Sequence, residues 1–297
     1  MNFVPSYIKL LRSGELYKRA EKAYANLASC TSCPRECNVD RINGEYGICT
    51  SGHLPIVSSY TPHFGEEPVL SGTKGAGNIF FGNCNLKCIY CQNFEISQNP
   101  LLEKHHEVIH DRLAEIMIEL QKKDCHNIGL VSPTHFSASI LKSICIATEK
   151  GLKIPIIYNT NGYDSVEMLK LYDGVVDIYL PDFKYGNSEY AKTYSLVDNY
   201  FEKTKEAIKE MFRQVGDELI YDGDVVLRGM IIRHLILPND LADTEKVFKF
   251  IAEELSPKIH ISLMSQYYPA NKAYKDILLD RALRIPEYEK ALDLLDK

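Results

Sequence analysis

The sequence has no run approaching 18 uninterrupted apolar residues, which excludes a membrane-spanning helix. It has no excess of basic charge either. Its 34 lysines and arginines stand against 40 aspartates and glutamates, a formal net charge of −6. That balance argues against nucleic acid or an anionic membrane as the main partner. Met1–Lys22 alternates charges with short apolar runs and lacks the apolar core of a signal peptide, so the expected location is cytoplasmic. Repeats and low-complexity linkers are also missing. A chain of 297 residues buries roughly 75% of its unfolded surface, so a core forms without disulfides.

What stands out is cysteine. Seven of the nine fall in two clusters: Cys30, Cys33, Cys37 and Cys49, then Cys84, Cys88 and Cys91. In a reducing compartment such spacing reads as metal binding rather than as disulfides. Cys125 and Cys145 stand apart and read as small buried hydrophobes.

From Gly77 onward, strand-like runs alternate with helical periods. The runs are Asn78–Gly82, Asn127–Val131, Ile154–Tyr158, Val175–Leu180, Val225–Leu237 and Ile259–Leu263. Leu113, Ile116, Met117 and Leu120 mark one helix face, and Val247, Phe250, Ile251 and Leu255 another. Asp164 and Glu167 have the spacing of a capping box for a helix through Leu171. Six strands alternating with helices predict a parallel sheet with its chemistry at the carboxyl ends. The expected architecture is α/β, a partial (β/α)6 TIM-like barrel over residues 77–297 with a C-terminal helical tail. Residues 1–76 form a cysteine-rich extension: a helix at Glu15–Ala28, then a metal-stapled loop over Ser29–Ser51. So short a segment rarely builds a core of its own.

Cys84-Asn85-Leu86-Lys87-Cys88-Ile89-Tyr90-Cys91 follows the first predicted strand, where a barrel carries an active-site loop. Three thiolates in eight residues can hold three irons of a cubane and leave the fourth open. A closed structural site needs a fourth ligand, and none lies nearby. A zinc site completed by a distant histidine, or plain buried thiols, are the bland alternatives.

The Cys-x3-Cys-x2-Cys spacing, with Tyr90 before the third cysteine, resembles the radical S-adenosylmethionine (SAM) signature. The resemblance extends over Gly77–Leu263. It implies a 4Fe–4S cluster on Cys84, Cys88 and Cys91 whose open iron is chelated by the amino and carboxylate groups of SAM. An electron from the reduced cluster then cleaves the sulfonium, and the released 5′-deoxyadenosyl radical abstracts hydrogen from a substrate. Leu180-Pro181-Asp182-Phe183-Lys184 is similar to the Asp-x-Lys element of pyruvate formate-lyase activating enzyme and other glycyl radical enzyme activators. Arg233, ahead of Leu237-Pro238, is similar to their SAM-facing arginine. That kinship implies a flavodoxin or ferredoxin as electron donor and a glycyl radical enzyme as substrate protein. The chain departs from the pattern after strand two, where Val131-Ser132-Pro133-Thr134-His135 replaces Gly-Gly-Glu-Pro. Ser132 and strand-edge carbonyls can still accept from an ammonium. Asn159 and Asn161, after strand three, offer polar groups for SAM.

Cys30, Cys33, Cys37 and Cys49 provide four thiolates, which suit zinc or a second Fe–S cluster equally well. His135 is the candidate proton donor or substrate contact. His63, Glu66 and Glu67 either line the barrel mouth or belong to a solvated loop. Gly72, Gly75 and Gly77 lack the Gly-Lys-Ser/Thr ending of a phosphate loop and read as a turn into strand one. Tyr267 and Tyr268 are pocket or packing residues. The competing readings are radical modification of a peptide or small molecule, and a non-catalytic Fe–S or zinc protein.

Overall fold

The computed structural model describes residues 3–295. Met1, Asn2, Asp296 and Lys297, counted above with the extension and the tail, lie outside the described residues. Eight strands share one sheet: β1 (Val57–His63), β2 (Ala76–Phe81), β3 (Ile128–Val131), β4 (Ile156–Thr160), β5 (Ile178–Pro181), β6 (Ile220–Asp222), β7 (Val225–Leu235) and β8 (His260–Met264). Their order is β1-β2-β3-β4-β5-β7-β6, with β8 paired to β7. β2, β3, β4, β5, β7 and β8 run parallel to one another. Parallel neighbours need crossover connections, and helices such as His110–Lys122, Ser137–Glu149 and Tyr200–Val215 supply them. The result is a partial (β/α)6 barrel. The His110–Lys122 helix buries Leu113, Ile116, Met117 and Leu120, the face its periodicity marked.

Side chains alternate across a strand, so residues two apart share a face. Ile157 of β4, Ile178 and Leu180 of β5 and Ile231 of β7 pack with Leu70 and Val226 into an apolar floor. Two residues on, the same face presents Asn159, Asp182 and Arg233, all lining one cavity. The apolar layer excludes water from below and the polar layer receives a ligand from above. Gly129 of β3 is part of this arrangement, because a Cβ there would overlap the Asn78 side chain.

Three features depart from the sequence reading. β1, inside the expected extension, pairs antiparallel with β2, so the boundary at residue 76 runs between hydrogen-bonded strands. Its half-exposed, proline-containing sequence, Val-Ser-Ser-Tyr-Thr-Pro-His, suits an edge and carries little strand signal. Asp164 caps no helix: its carboxylate accepts from Thr160 Oγ1 (2.5 Å) and Tyr158 Oη (3.2 Å) in the buried interior. The helix begins at Val166 instead. The N-terminal helix stops at Ala25 and continues as a tighter turn over Asn26–Ser29.

Candidate functional site

The loop after β2 is tied down on all sides. Asn83 adopts a left-handed conformation, which asparagine tolerates better than most residues. Asn85 Nδ2 donates to the Tyr163 carbonyl (2.9 Å), and Asn161 Nδ2 donates to Asn85 Oδ1 (2.7 Å) and Cys84 Sγ (3.5 Å). The Lys87 and Ile89 amides donate to the carbonyls of Ser195 (3.2 Å) and Tyr194 (2.8 Å). Cys88 Sγ shares a hydrogen bond with Ser195 Oγ at 2.9 Å, and Cys91 Sγ with Ser97 Oγ at 3.2 Å. Burial pushes the Cys88 thiol up to about 12, and that of Cys84 upward as well. Such thiols ionise when a metal takes the place of the proton.

Cys84, Cys88 and Cys91 line a cavity of about 370 Å³ together with Tyr90, Ser132, Asn159, Asn161, Asp182, Lys184 and Arg233. The volume falls within the roughly 300–1,000 Å³ of small-molecule sites. Lys184 Nζ donates to Asp182 Oδ2 at 2.6 Å. Burial pulls the Lys184 ammonium pKa down, but Asp182 and Cys88 more than reverse this, so it is held charged. Arg233 stands 3.7 Å from Asp182, 3.3 Å from Glu66 and 3.5 Å from Glu67. Tyr200 Oη bonds the Asn161 carbonyl (2.8 Å), the Asp182 carbonyl (3.1 Å) and the Lys184 amide (3.0 Å), clamping the two strand ends together.

Of the candidates singled out in the sequence, Tyr90, Ser132, Asn159, Asn161, Asp182, Lys184 and Arg233 line this cavity, as do His63 and Glu66, whereas Glu67, His135, Tyr267 and Tyr268 do not. His135 is 1% exposed, and its Nε2 donates to the Gly82 carbonyl at 2.9 Å. Burial pushes its imidazole down to about 3, so the ring is neutral and its one N–H proton is engaged with the Gly82 carbonyl. It lines the four-cysteine cleft instead. The turn after β3 brings Ser132 to the cavity in a left-handed conformation and sends His135 behind the strand. Tyr267 packs beside Tyr90 and donates to the Leu279 carbonyl (2.8 Å), while Tyr268 is exposed. Sequence reasoning left Glu66 undecided and missed Asn78 and Tyr200. Glu66 Oε1 accepts from Asn78 (2.8 Å) and Asn159 (3.3 Å). The signal for Asn78 was a polar residue inside an apolar strand, whereas Tyr200 lies in a helix with no motif to mark it.

Gly162 sits between the polar run and Asp182. Its φ is +79°, and a Cβ would overlap the Asp182 carbonyl oxygen and approach Thr204 Cγ2 to 2.9 Å. Gly162→Ala is therefore expected to cost about 1–3 kcal/mol, lowering the melting temperature by several degrees. A calorimetric scan matching the parent would refute the close approach.

The second cleft is lined by Cys30, Cys33, Cys37 and Cys49 with Arg41 and His135. A Cβ at Gly47 would stand 2.8 Å from Cys37 Sγ, so only glycine fits that turn. Burial pushes the Cys33 thiol up. Among the described residues, no three His, Cys, Asp or Glu side chains converge closely enough to hold one ion. That holds for the Cys84–Cys91 loop as well as for this cleft.

Residues 78–237 match the pattern of the Radical SAM superfamily. The chain belongs to that superfamily. Radical SAM proteins carry a 4Fe–4S cluster, bind SAM and need a reductant. The chain is similar to two uncharacterized proteins of Methanocaldococcus jannaschii. MJ0674 is 34% identical over 302 residues, covering 100% of this chain and 82% of that protein. MJ0808 is 30% identical over 188 residues, covering 58% of this chain and 54% of that protein. Among solved structures it resembles TYW1 with a lysine-pyruvate adduct bound, at 13% identity and a TM-score of 0.42, over 74% of this chain and 72% of that one. No helix is long and apolar enough to cross a membrane among the described residues.

Proposed function

We propose that Cys84, Cys88 and Cys91 are the cluster ligands of this radical SAM enzyme, and that Asp182, Lys184, Arg233, Asn159, Asn161, Ser132 and Tyr90 form its SAM pocket. One observation carries the reading: three thiols from one loop and a half-buried Asp–Lys–Arg set from two strand ends line a single cavity. The bound cluster supplies the electron that breaks the sulfonium bond of SAM. The chain's own residues do the rest. Lys184 and Arg233 offer donors to a carboxylate, while Asp182 and Glu66 offer acceptors to an amino group or hydroxyls. Tyr200 keeps the two strand ends in register. The apolar floor of Ile157, Leu180 and Ile231 keeps water from the reacting centre.

Within the superfamily, the reading is an activator of a glycyl radical enzyme, fed by a flavodoxin or ferredoxin. The Asp182-x-Lys184 element and Arg233 support it, because both occupy the cavity with the cysteine loop. Residues 1–76 act as a second metal-binding unit, holding zinc or an Fe–S cluster on Cys30, Cys33, Cys37 and Cys49.

The test is direct. Protein reconstituted anaerobically with iron and sulfide and then reduced should convert SAM to 5′-deoxyadenosine and methionine. Deuterium appearing in 5′-deoxyadenosine from a glycine-deuterated glycyl radical enzyme would identify the substrate class. Absence of SAM turnover in a cluster-loaded sample would refute the enzyme reading.

A further inference from the structure

The barrel does not close on itself. β1 and β8 stand at its two sides, and residues beside both line the same cavity: His63 and Gly65 at one, Met264 and Gln266 at the other. The cavity therefore reaches the gap between these two edges.

The sheet's edges are not alike. A free edge invites pairing with another chain, and proteins blunt it with proline, bulges, brevity or a cover. β1 carries Pro62, its register slips between Val57 and Ser59, and Ile56 beside it bridges to Glu107. β6 is three residues long. β8, His-Ile-Ser-Leu-Met, has no proline, lysine or carboxylate, and among the described residues β7 is its single partner strand.

The backbone of β8 divides into two rows. The Met264 carbonyl accepts from the Ile236 amide at 3.0 Å, so Met264 turns its peptide groups toward β7. Along a strand the N–H and C=O of one residue point to the same side, and those of the next residue to the other. His260 and Ser262 therefore serve β7 as well, while Ile261 and Leu263 hold out two N–H and two C=O groups to the open side. Among the described residues no backbone hydrogen bond meets them there. Ile261 to Met264 are half-buried rather than covered. Such a row of donors and acceptors is the recognition surface for another extended backbone.

We propose that the open edge of β8 binds an extended peptide segment of a protein substrate as an added strand and directs it into the cavity. The proposal deepens the function proposed above by giving the substrate class, and it rests on that reading for the chemistry inside the cavity. Side chains alternate across the added strand. Every second residue then faces the cavity beside Met264, whose sulfur lies 3.4 Å from Arg233 Nη2. The side-chain amides of Gln92, Asn93 and Gln266 line the same cavity and offer donors and acceptors to further peptide groups. A second copy of the chain is the competing occupant of a free edge, but two β8 edges paired across a dyad would seal both cavities from their substrates. A small molecule has no use for a row of main-chain groups.

The test uses the full-length protein, reconstituted but unreduced, and a doubly capped peptide, Thr-Val-Gly-Val-Thr. Main-chain recognition asks for β-prone residues and little else. Residue-resolved hydrogen exchange should find the Ile261 and Leu263 amides open without peptide and protected with it. The Ser262 and Met264 amides, bonded to β7, should be protected throughout. The same peptide N-methylated at every residue should bind about tenfold more weakly, having lost one or two hydrogen bonds. Leu263→Pro removes one outward N–H and should weaken the parent peptide to a similar degree, with the melting temperature as the folding control. Should that variant not fold, the methylated peptide on the parent protein decides. No saturable binding, equal affinity for the methylated peptide, or unchanged exchange at Ile261 and Leu263 would overturn the proposal. So would a dimer that Leu263→Pro separates, since the edge would then belong to a second copy. None of these readouts needs SAM turnover. A protein that cleaves SAM but ignores the peptide would remove the docking edge and leave the proposed function standing.

Discussion

Cys88→Ala abolishes SAM cleavage and the signal of the SAM cluster, while the metal proposed for the N-terminal cysteines, zinc or iron, is unaffected. The expectation follows from ligand count. Two thiolates from a loop of eight residues cannot retain a cubane, and no other Cys lines the cavity to replace the third. Neighbouring donors do not rescue it. The Ser195 hydroxyl, 2.9 Å from Cys88 Sγ, is a poor iron ligand and is also bonded to Tyr185 Oη at 2.7 Å. The fold survives, since removing one sulfur from a buried site costs on the order of 1 kcal/mol. The chain around it is held by the Lys87 and Ile89 amides rather than by the thiol. Product analysis, iron content and low-temperature paramagnetic resonance on reduced samples check the three parts together. Turnover persisting in the variant would remove the triplet from the mechanism.

Asp182→Ala weakens SAM binding by at least tenfold, about 1.4 kcal/mol, with the cluster still assembled. Asp182 is 20% exposed and Lys184 17%, so water screens their 2.6 Å pair only in part. Exposed pairs contribute under about 1 kcal/mol, and truncating one partner of a buried pair costs roughly 2–5 kcal/mol. The variant strands the Lys184 ammonium near Cys88 with no carboxylate, and it removes one of three acidic neighbours of Arg233. Lys184 is then free to move while Arg233 keeps only Glu66 and Glu67, and the geometry awaiting SAM is lost. Equilibrium dialysis with labelled SAM on reconstituted, unreduced protein reads the effect without turnover. Affinity equal to the parent would return Asp182 and Lys184 to a structural role.

Much of the site was legible because its chemistry is local in the chain. The Cys84–Cys91 loop declares itself by spacing, and Asp182 and Lys184 by their place just past an apolar strand. Six β-prone runs alternating with helices suffice for a parallel barrel, and period two along β4, β5 and β7 then puts Asn159, Asp182 and Arg233 over one floor. The edge strand β1 was missed because a half-solvated, polar strand has no alternation to reveal it. Asp164 was misread as a cap because its true partners, Thr160 and Tyr158, lie in a strand.

Cysteine spacing and strand–helix alternation are properties of neighbours in sequence, and by themselves they determined the fold class, the superfamily resemblance and the two thiol sets. Only the tertiary structure decided which polar groups meet. It turned His135 from the barrel mouth to the four-cysteine cleft, brought Glu66 from a loop before β2 onto Arg233, and buried Arg41 against Cys30 and the His135 carbonyl. The contacts among these groups join residues 94 and 167 positions apart. No local propensity encodes such a meeting. It follows from the closing of the sheet and the packing of the extension against it, where each buried polar group must find a partner.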